Sequence, residues 1–365
     1  MFTPLVIAGL FCAAFAESPA VLPDVTPPTL VPLRAEIPLE SIDYPTSFNA
    51  YRVWLKKHPA SEVEGHPEAG YRFLNEMHAE LATLVEDTPH VIRPIEIGRT
   101  VKKRRIWGYV LRDPGHPIHA RMLVFAQLHP MEWVPAEVAV SFIQDFVANP
   151  IPGVEVTVIP VVNVDVRVRV EYDVTHGNDV YRRGNVNHVD LNRDFAVNRD
   201  AKAVWQRILP GYFGTTQSAL SQPETQAIDK LAAEGQFAIA LSLHAMGAFF
   251  YTPWAGAWAL PPDHKELIGL ARTMQAAQGA YAYKPRTLGR WGFFFRAHGA
   301  EIDHLYGKYG SRAVLIEFTR SGMNPLKPKT LKNRFRFYNP PDPDRHIRLG
   351  VQALRAAAIT LKTPN

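Results

Sequence analysis

Short apolar runs separated by amphipathic stretches set the pattern of this chain. Residues 122–127, 156–162, 237–243 and 313–318 are continuous apolar segments of strand length, which predicts strands buried on both faces. Residues 91–97 and 106–111 predict two more strands around the Gly98-Arg99-Thr100 turn. Between the strands the period changes. Phe73, Leu74, Met77, Leu81, Leu84 and Val85 form a stripe at helical spacing over 71–86. Helices are also predicted over 133–146, 204–209, 265–277 and 344–361. The helix at 223–233 opens with Pro223 at its first position and Glu224 in its first turn. Buried strands alternating with helices predict an α/β fold: a mixed, mainly parallel sheet with helices on both faces.

The N-terminal end of the sequence modifies this picture. Residues 4–15 are apolar, and Ala14 and Ala16 place small side chains where a signal peptidase needs them, so 1–16 is predicted to be a signal peptide. The run is too short to span a bilayer comfortably, and no later segment is long and apolar enough to cross one. Residues 17–47 hold seven prolines (Pro19, Pro23, Pro27, Pro28, Pro32, Pro38 and Pro45) and predict an extended tether. From residue 48 to 365 the composition shows no comparable break, which predicts one catalytic domain.

The only cysteine, Cys12, falls inside the expected signal peptide. The mature chain then has no disulfide, no thiolate metal ligand and no cysteine nucleophile. That fits an exported protein, periplasmic or secreted, of a bacterial cell. The 365 residues are 47% hydrophobic and 21% charged, ordinary for a globular protein, with a formal net charge of +5. A mild basic balance is compatible with an anionic partner such as a cell-wall polymer or a membrane surface. The basic clusters 102–105 and 327–336 are scattered and are not interleaved with a stacking series of aromatics, so solvated surface charge is the simpler account and no nucleic-acid partner is expected.

The chemistry gathers where the apolar runs end. His129 and Glu132 lie three positions apart just past the run 122–127, and His244 follows 237–243. Two imidazoles and a carboxylate with one open position are the ligand set of catalytic zinc. Glu317 sits near the end of another apolar run, where an ionised carboxylate needs a partner, and Asn192 and Arg193 lie in the irregular stretch after 156–162. In an open parallel sheet the crevice beyond the carboxyl ends of the strands is where ligands bind. Taken singly, each of these residues has an ordinary account: a loop histidine, a strand-end histidine, a Glu317 salt bridge to Arg312 or Arg320. Their joint placement favours the site. No Gly-x-Ser-x-Gly elbow and no His-Glu-x-x-His helix is present, which excludes the common serine-hydrolase and thermolysin-type readings.

With these residues in view, the chain resembles the zinc carboxypeptidases of the carboxypeptidase A type. His129-Pro130-Met131-Glu132-Trp133 looks like the family's His-x-x-Glu motif. Val189-Asp190-Leu191-Asn192-Arg193-Asp194-Phe195 is similar to its Val-Asp-Leu-Asn-Arg-Asn-Phe segment. Ser242-Leu243-His244 and Leu315-Ile316-Glu317-Phe318 match the strands carrying the third ligand and the catalytic Glu. The resemblance implies one Zn2+ per chain on His129, Glu132 and His244, with Glu317 as general base and then general acid. It implies that Asn192 and Arg193 hold the free C-terminal carboxylate of a peptide substrate. Arg183, with Arg182 as the alternative, would polarise the scissile carbonyl. Ile302 would form an apolar floor that favours an apolar terminal residue. Three positions depart from the digestive members: Met131 and Met246 replace an Arg and a Tyr, and Phe295 stands where a mobile Tyr covers the substrate, leaving Tyr306 and Tyr309 as spatial stand-ins. The expected activity is removal of a C-terminal residue. The alternatives are an exported zinc amidase or carboxypeptidase acting on cell-wall peptides, an N-acyl amino-acid deacylase, and a binding protein without turnover.

Overall fold

A computed structural model describes residues 71–178, 180–199, 215–292, 295–320 and 334–362. The expected signal peptide, the tether, the start of the domain at 48 and the helix at 204–209 lie outside these residues. The four continuous apolar runs form β3 (Ala120–Ala126), β4 (Val154–Ile159), β5 (Ile239–Ala245) and β8 (Arg312–Phe318). They lie side by side and parallel, in the order β4-β3-β5-β8. Shorter strands flank this centre: β1 (Ile92–Arg99) and β2 (Arg105–Leu111) on one side, β6 (Phe249–Thr252) and β7 (Lys284–Thr287) on the other. β1 is antiparallel to β2, β2 to β4, and β6 to β8. The sheet is therefore mixed with a parallel core, as expected.

β4 stops earlier than its apolar run, which was expected to continue to Val162. Pro160 has no N–H to give a ladder, and beyond it Val162 turns its N–H to the Ala126 carbonyl at 3.1 Å. The chain then enters α3 (Val164–Thr175), which the sequence pattern does not announce. Valines at 164, 166, 168 and 170 alternate with charged residues, a two-residue period more like a strand. The helix forms because its charged residues are buried and paired as well. Asp165 accepts from Thr100 Oγ1, the Lys102 N–H and Arg104, each at 2.9 Å. Arg167 stacks on the Trp133 ring, with Cζ 3.5 Å from its centroid, and pairs with Glu171. A helix buried over most of its surface shows no single apolar stripe.

The remaining helices are α1 (Leu74–Asp87), α2 (Trp133–Ala148), α4 (Pro223–Gly235), α5 (His264–Ala277), α6 (Glu301–Tyr309), α7 (Arg334–Tyr338) and α8 (Asp344–Ile359). α2 and α5 pack on the sheet and α8 packs against both of them, while α4 and α6 touch each other and cover β1, β5 and β8. Trp133, Phe125, Phe142, Phe146, Phe250 and Phe318 are fully buried between the layers. Because the four central strands are parallel, their carboxyl ends share one edge, and the candidate site lies there.

Candidate active site

Two kinds of local structure deliver the three candidate ligands. His129 and Glu132 come from a turn between β3 and α2, closed by a 3.2 Å hydrogen bond from the Glu132 N–H to the His129 carbonyl. Both residues are 3% exposed. Gln127 donates to the Glu132 carbonyl at 3.0 Å, and its own carbonyl accepts from the buried Arg167 at 3.0 Å. Asn339 clamps the other side of the turn: it donates to the Met131 carbonyl at 2.7 Å and accepts from the Trp133 N–H at 2.8 Å.

His244 needs no such scaffolding, because it is one of the last residues of β5. Its register partner on β8 is Glu317. Register neighbours on parallel strands point to the same face, so pairing alone sets the imidazole beside the carboxylate.

The donor atoms converge. His129 Nδ1 lies 2.9 Å from Glu132 Oε1 and 3.1 Å from His244 Nδ1, and His244 Nδ1 is 3.2 Å from Glu132 Oε2. One donor atom from each of the three residues falls within 4.8 Å of the others. Zinc bonds of about 2.0–2.2 Å place two tetrahedral donors about 3.3 Å apart, so the set fits that ion. Burial pushes the Glu132 carboxyl up, but His129 and His244 outweigh it and hold the group down at about 2. Burial pushes His244 down, and hydrogen bonds to Glu132 and Glu301 lift it to about 10.

Glu317 Oε2 is cut off from solvent with no hydrogen-bond partner among the described residues, although the residue as a whole is part-exposed. Burial first, and the negative charge of Glu132 second, push its carboxyl up to about 8. The ordinary account of Glu317 as a plain salt bridge to Arg312 or Arg320 has no counterpart in this geometry.

The segment 189–195 forms the facing wall. Asp190 accepts from His129 Nε2 at 3.0 Å, from Arg183 Nε at 2.8 Å and from the Asn192 N–H at 2.9 Å. Burial would raise Asp190, yet Arg183 and then His129 hold it well below the usual carboxylate range. Arg183 therefore reaches the site. Arg182 does not, because its guanidinium is tied to Asp173. Asn192 and Arg193 are 4% and 5% exposed on the short 3-10 turn Leu191–Arg193. Asp194 fixes that turn from below by accepting from Gln222 N, Ser221 Oγ and Thr225 Oγ1.

Ile302 is fully buried in the first turn of α6, next to Glu301. Glu301 was not expected at the site. It is fully buried, its N–H donates to Asn192 Oδ1 at 3.1 Å, and its Oε1 lies 3.2 Å from His244 Nε2. Glu301 immediately precedes Ile302, so the motif matched at Ile302-Asp303 was a signal one residue away. Tyr306 and Tyr309 do not stand in for the substrate-covering tyrosine. Their hydroxyls are committed to Asp263 at 2.8 Å and Asp229 at 2.5 Å. Phe295 packs its ring on Trp291 at 5.3 Å.

A central parallel sheet with this ligand set at its carboxyl edge defines a zinc-dependent hydrolase. The zinc carboxypeptidase family model matches residues 77–340, and the chain belongs to that family. It is a zinc metallocarboxypeptidase. Mouse carboxypeptidase A4 is 20% identical over 323 residues, covering 80% of this chain and 75% of that protein. Zinc carboxypeptidase A 1 of Drosophila melanogaster is 25% identical over 260 residues, covering 66% of this chain and 59% of the fly protein. The crystal structure of thrombin activatable fibrinolysis inhibitor shares the fold with a TM-score of 0.67 at 17% identity, over 86% of this chain and 80% of that one.

Proposed function

We propose that this enzyme is exported and removes single, apolar residues from the carboxyl ends of peptides, using His129, Glu132 and His244 to hold zinc. The observation that carries the assignment is Glu317, a carboxylate with a solvent-excluded oxygen in register with His244 on the next strand. Bound zinc supplies Lewis acidity toward the scissile carbonyl and brings the pKa of water toward about 7.

Everything else falls to side chains of the chain. Glu317 takes the proton of the attacking water and passes it to the leaving amine. Arg183, anchored by Asp190, aims its guanidinium at the carbonyl oxygen as negative charge develops there. Arg193 receives the terminal carboxylate with the paired N–H groups that a lysine lacks, and Asn192 completes that grip. Ile302 supplies an apolar wall to the terminal side chain. Asp190 and Glu301 each take the second ring nitrogen of a ligand histidine and so fix its orientation.

The test has two arms. A mixed peptide pool followed by mass spectrometry is expected to show stepwise loss of one C-terminal residue, fastest for apolar ends. Release from purified cell-wall fragments or N-acyl amino acids, without action on ordinary peptides, would overturn this reading in favour of the amidase or the deacylase. Glu317→Gln is expected to keep zinc and lose about 10²–10⁴-fold in kcat. Unchanged turnover would remove Glu317 from the role.

A further inference from the structure

The net charge of this protein is not spread evenly. Residues 258–296 contain six cations (Lys265, Arg272, Lys284, Arg286, Arg290 and Arg296) against two acids, Asp263 and Glu266. One short segment thus carries a net +4 of the chain's +5. In sequence these cations are dispersed, which is why no basic motif is visible. The fold gathers them. α5 lies against β7, and between them runs an open groove of about 670 Å³ lined by Leu260, His264, Arg272, Lys284, Arg286 and Arg290. Arg272, Lys284, Arg286 and Arg290 are exposed. Among the described residues no carboxylate forms an ion pair with any of the six cations.

Apolar groups share the same surface. Large hydrophobics that stand exposed among the described residues are Trp258 at 48%, Leu260 at 38%, Tyr281 at 62%, Trp291 at 45% and Ile359 at 48%. Trp258, Leu260 and Trp291 all belong to this patch. Arg290 and Arg296 lie over the Trp258 ring at 5.5 and 4.7 Å, and Arg290 Nε donates to the Trp258 carbonyl at 3.1 Å. Trp291 follows Arg290 in the chain and packs on Phe295.

β7 ends the sheet, and charges on an edge strand guard against edge-to-edge pairing. That accounts for Lys284 and Arg286, and leaves Arg272, Arg290, Arg296 and the two tryptophans unexplained. Tryptophan beside lysine and arginine is the composition of a protein surface that seats at a membrane–water boundary, with rings at headgroup level and cations against anionic lipid.

We infer that the α5–β7 groove and its Trp258–Trp291 rim form a docking surface for a bilayer rich in anionic phospholipid. Among the described residues no helix is long and apolar enough to cross a membrane. From Arg296 the chain runs directly into Gly299, whose carbonyl accepts from Phe195 N at 3.1 Å, and Glu301, which meets Asn192. Docking on this surface holds the candidate active site next to the lipid.

The test is co-sedimentation of the purified full chain with phosphatidylcholine vesicles, with and without phosphatidylglycerol. Binding is expected only when phosphatidylglycerol is present, and it weakens as salt rises. Each cation brought to an anionic surface raises partitioning about fivefold, so the triple substitution Lys284→Gln, Arg286→Gln, Arg290→Gln is expected to lower it about a hundredfold. Its rate on a small soluble peptide stays at the wild-type value. Trp258→Ser is expected to weaken binding at every salt concentration. Should the triple variant fail to fold, the wild type's tryptophan emission still decides, since Trp258 and Trp291 shift to the blue on anionic vesicles only. Equal binding to both vesicle types, no binding to either, or capture by soluble polyphosphate but not by vesicles would each overturn the membrane assignment.

Discussion

His129 and His244 end up facing each other across 3.1 Å, yet the molecule places them by different means. His244 is the product of a strand. Its direction follows from the pleat, and its partner Glu317 follows from the register of β5 with β8. His129 sits on an irregular turn, where backbone geometry fixes nothing by itself. Gln127, Asn339 and Asp190 must hold it, and Gln127 leans in turn on the buried Arg167. The carboxylates behind the two rings differ in the same way. Asp190 accepts from three separate groups, whereas Glu301 meets His244 with one oxygen and leaves Oε2 buried without a partner among the described residues. A ligand on regular structure tolerates a loosely held partner; a ligand on a turn depends on its clamps.

The sharpest way to break this contrast is to remove a clamp. Asn339→Ala leaves the Trp133 N–H and the Met131 carbonyl buried without their partner, at about 1–3 kcal/mol for each unsatisfied group. We expect a loss of about 2–6 kcal/mol in a denaturant titration, together with weakened metal binding. A stability change under about 0.5 kcal/mol, the level of an ordinary surface substitution, would show that the turn stands without Asn339.

Next in size are the two orienting carboxylates, compared by chelator competition for zinc. Substituting an outer partner of a metal-bound histidine costs about 10–100-fold in metal affinity. Asp190→Asn is expected at the upper end, because it also releases Arg183, and Glu301→Gln at the lower end. If Glu301→Gln proves the more damaging, His244 depends on its support more than the strand geometry implies.

The same contrast explains what could be read from the chain. Continuous apolar runs announce β3, β4, β5 and β8, so the parallel core and the convergence of the candidate ligands beyond it were legible from hydrophobic patterning and ordered motifs. α3 was not, because Asp165 is satisfied by Thr100 and Arg104, and Arg167 by Trp133 and Gln127, and no local period records such long-range partners. Asn339 was invisible for a related reason: it acts on the turn 131–133, far away in sequence, and a lone polar residue in an ordinary stretch carries no mark of that. Glu301 acts on the equally distant His244, and its one signal was the neighbouring Ile302-Asp303 match. Choosing Arg183 over Arg182 required seeing Asp173 occupy the latter. The α5–β7 cations stayed hidden until packing drew them together.

The smallest effect concerns Ser242. Its hydroxyl lies 3.0 Å from His244 Nε2, and Glu301 Oε1 lies 3.2 Å from the same atom. One ring N–H cannot serve both acceptors fully, and a hydrogen bond to a carboxylate is roughly twice as strong as one to a neutral oxygen. Ser242→Ala removes the weaker acceptor, leaves the ring held by Glu301, and disturbs no backbone pairing of β5. The expected cost in zinc affinity is under about fivefold, within the roughly 0.5–1.5 kcal/mol of a single neutral hydrogen bond. Measured beside Glu301→Gln, this substitution ranks the two acceptors. A larger loss for Ser242→Ala would make the hydroxyl the true orienting group of His244 and reduce Glu301 to packing.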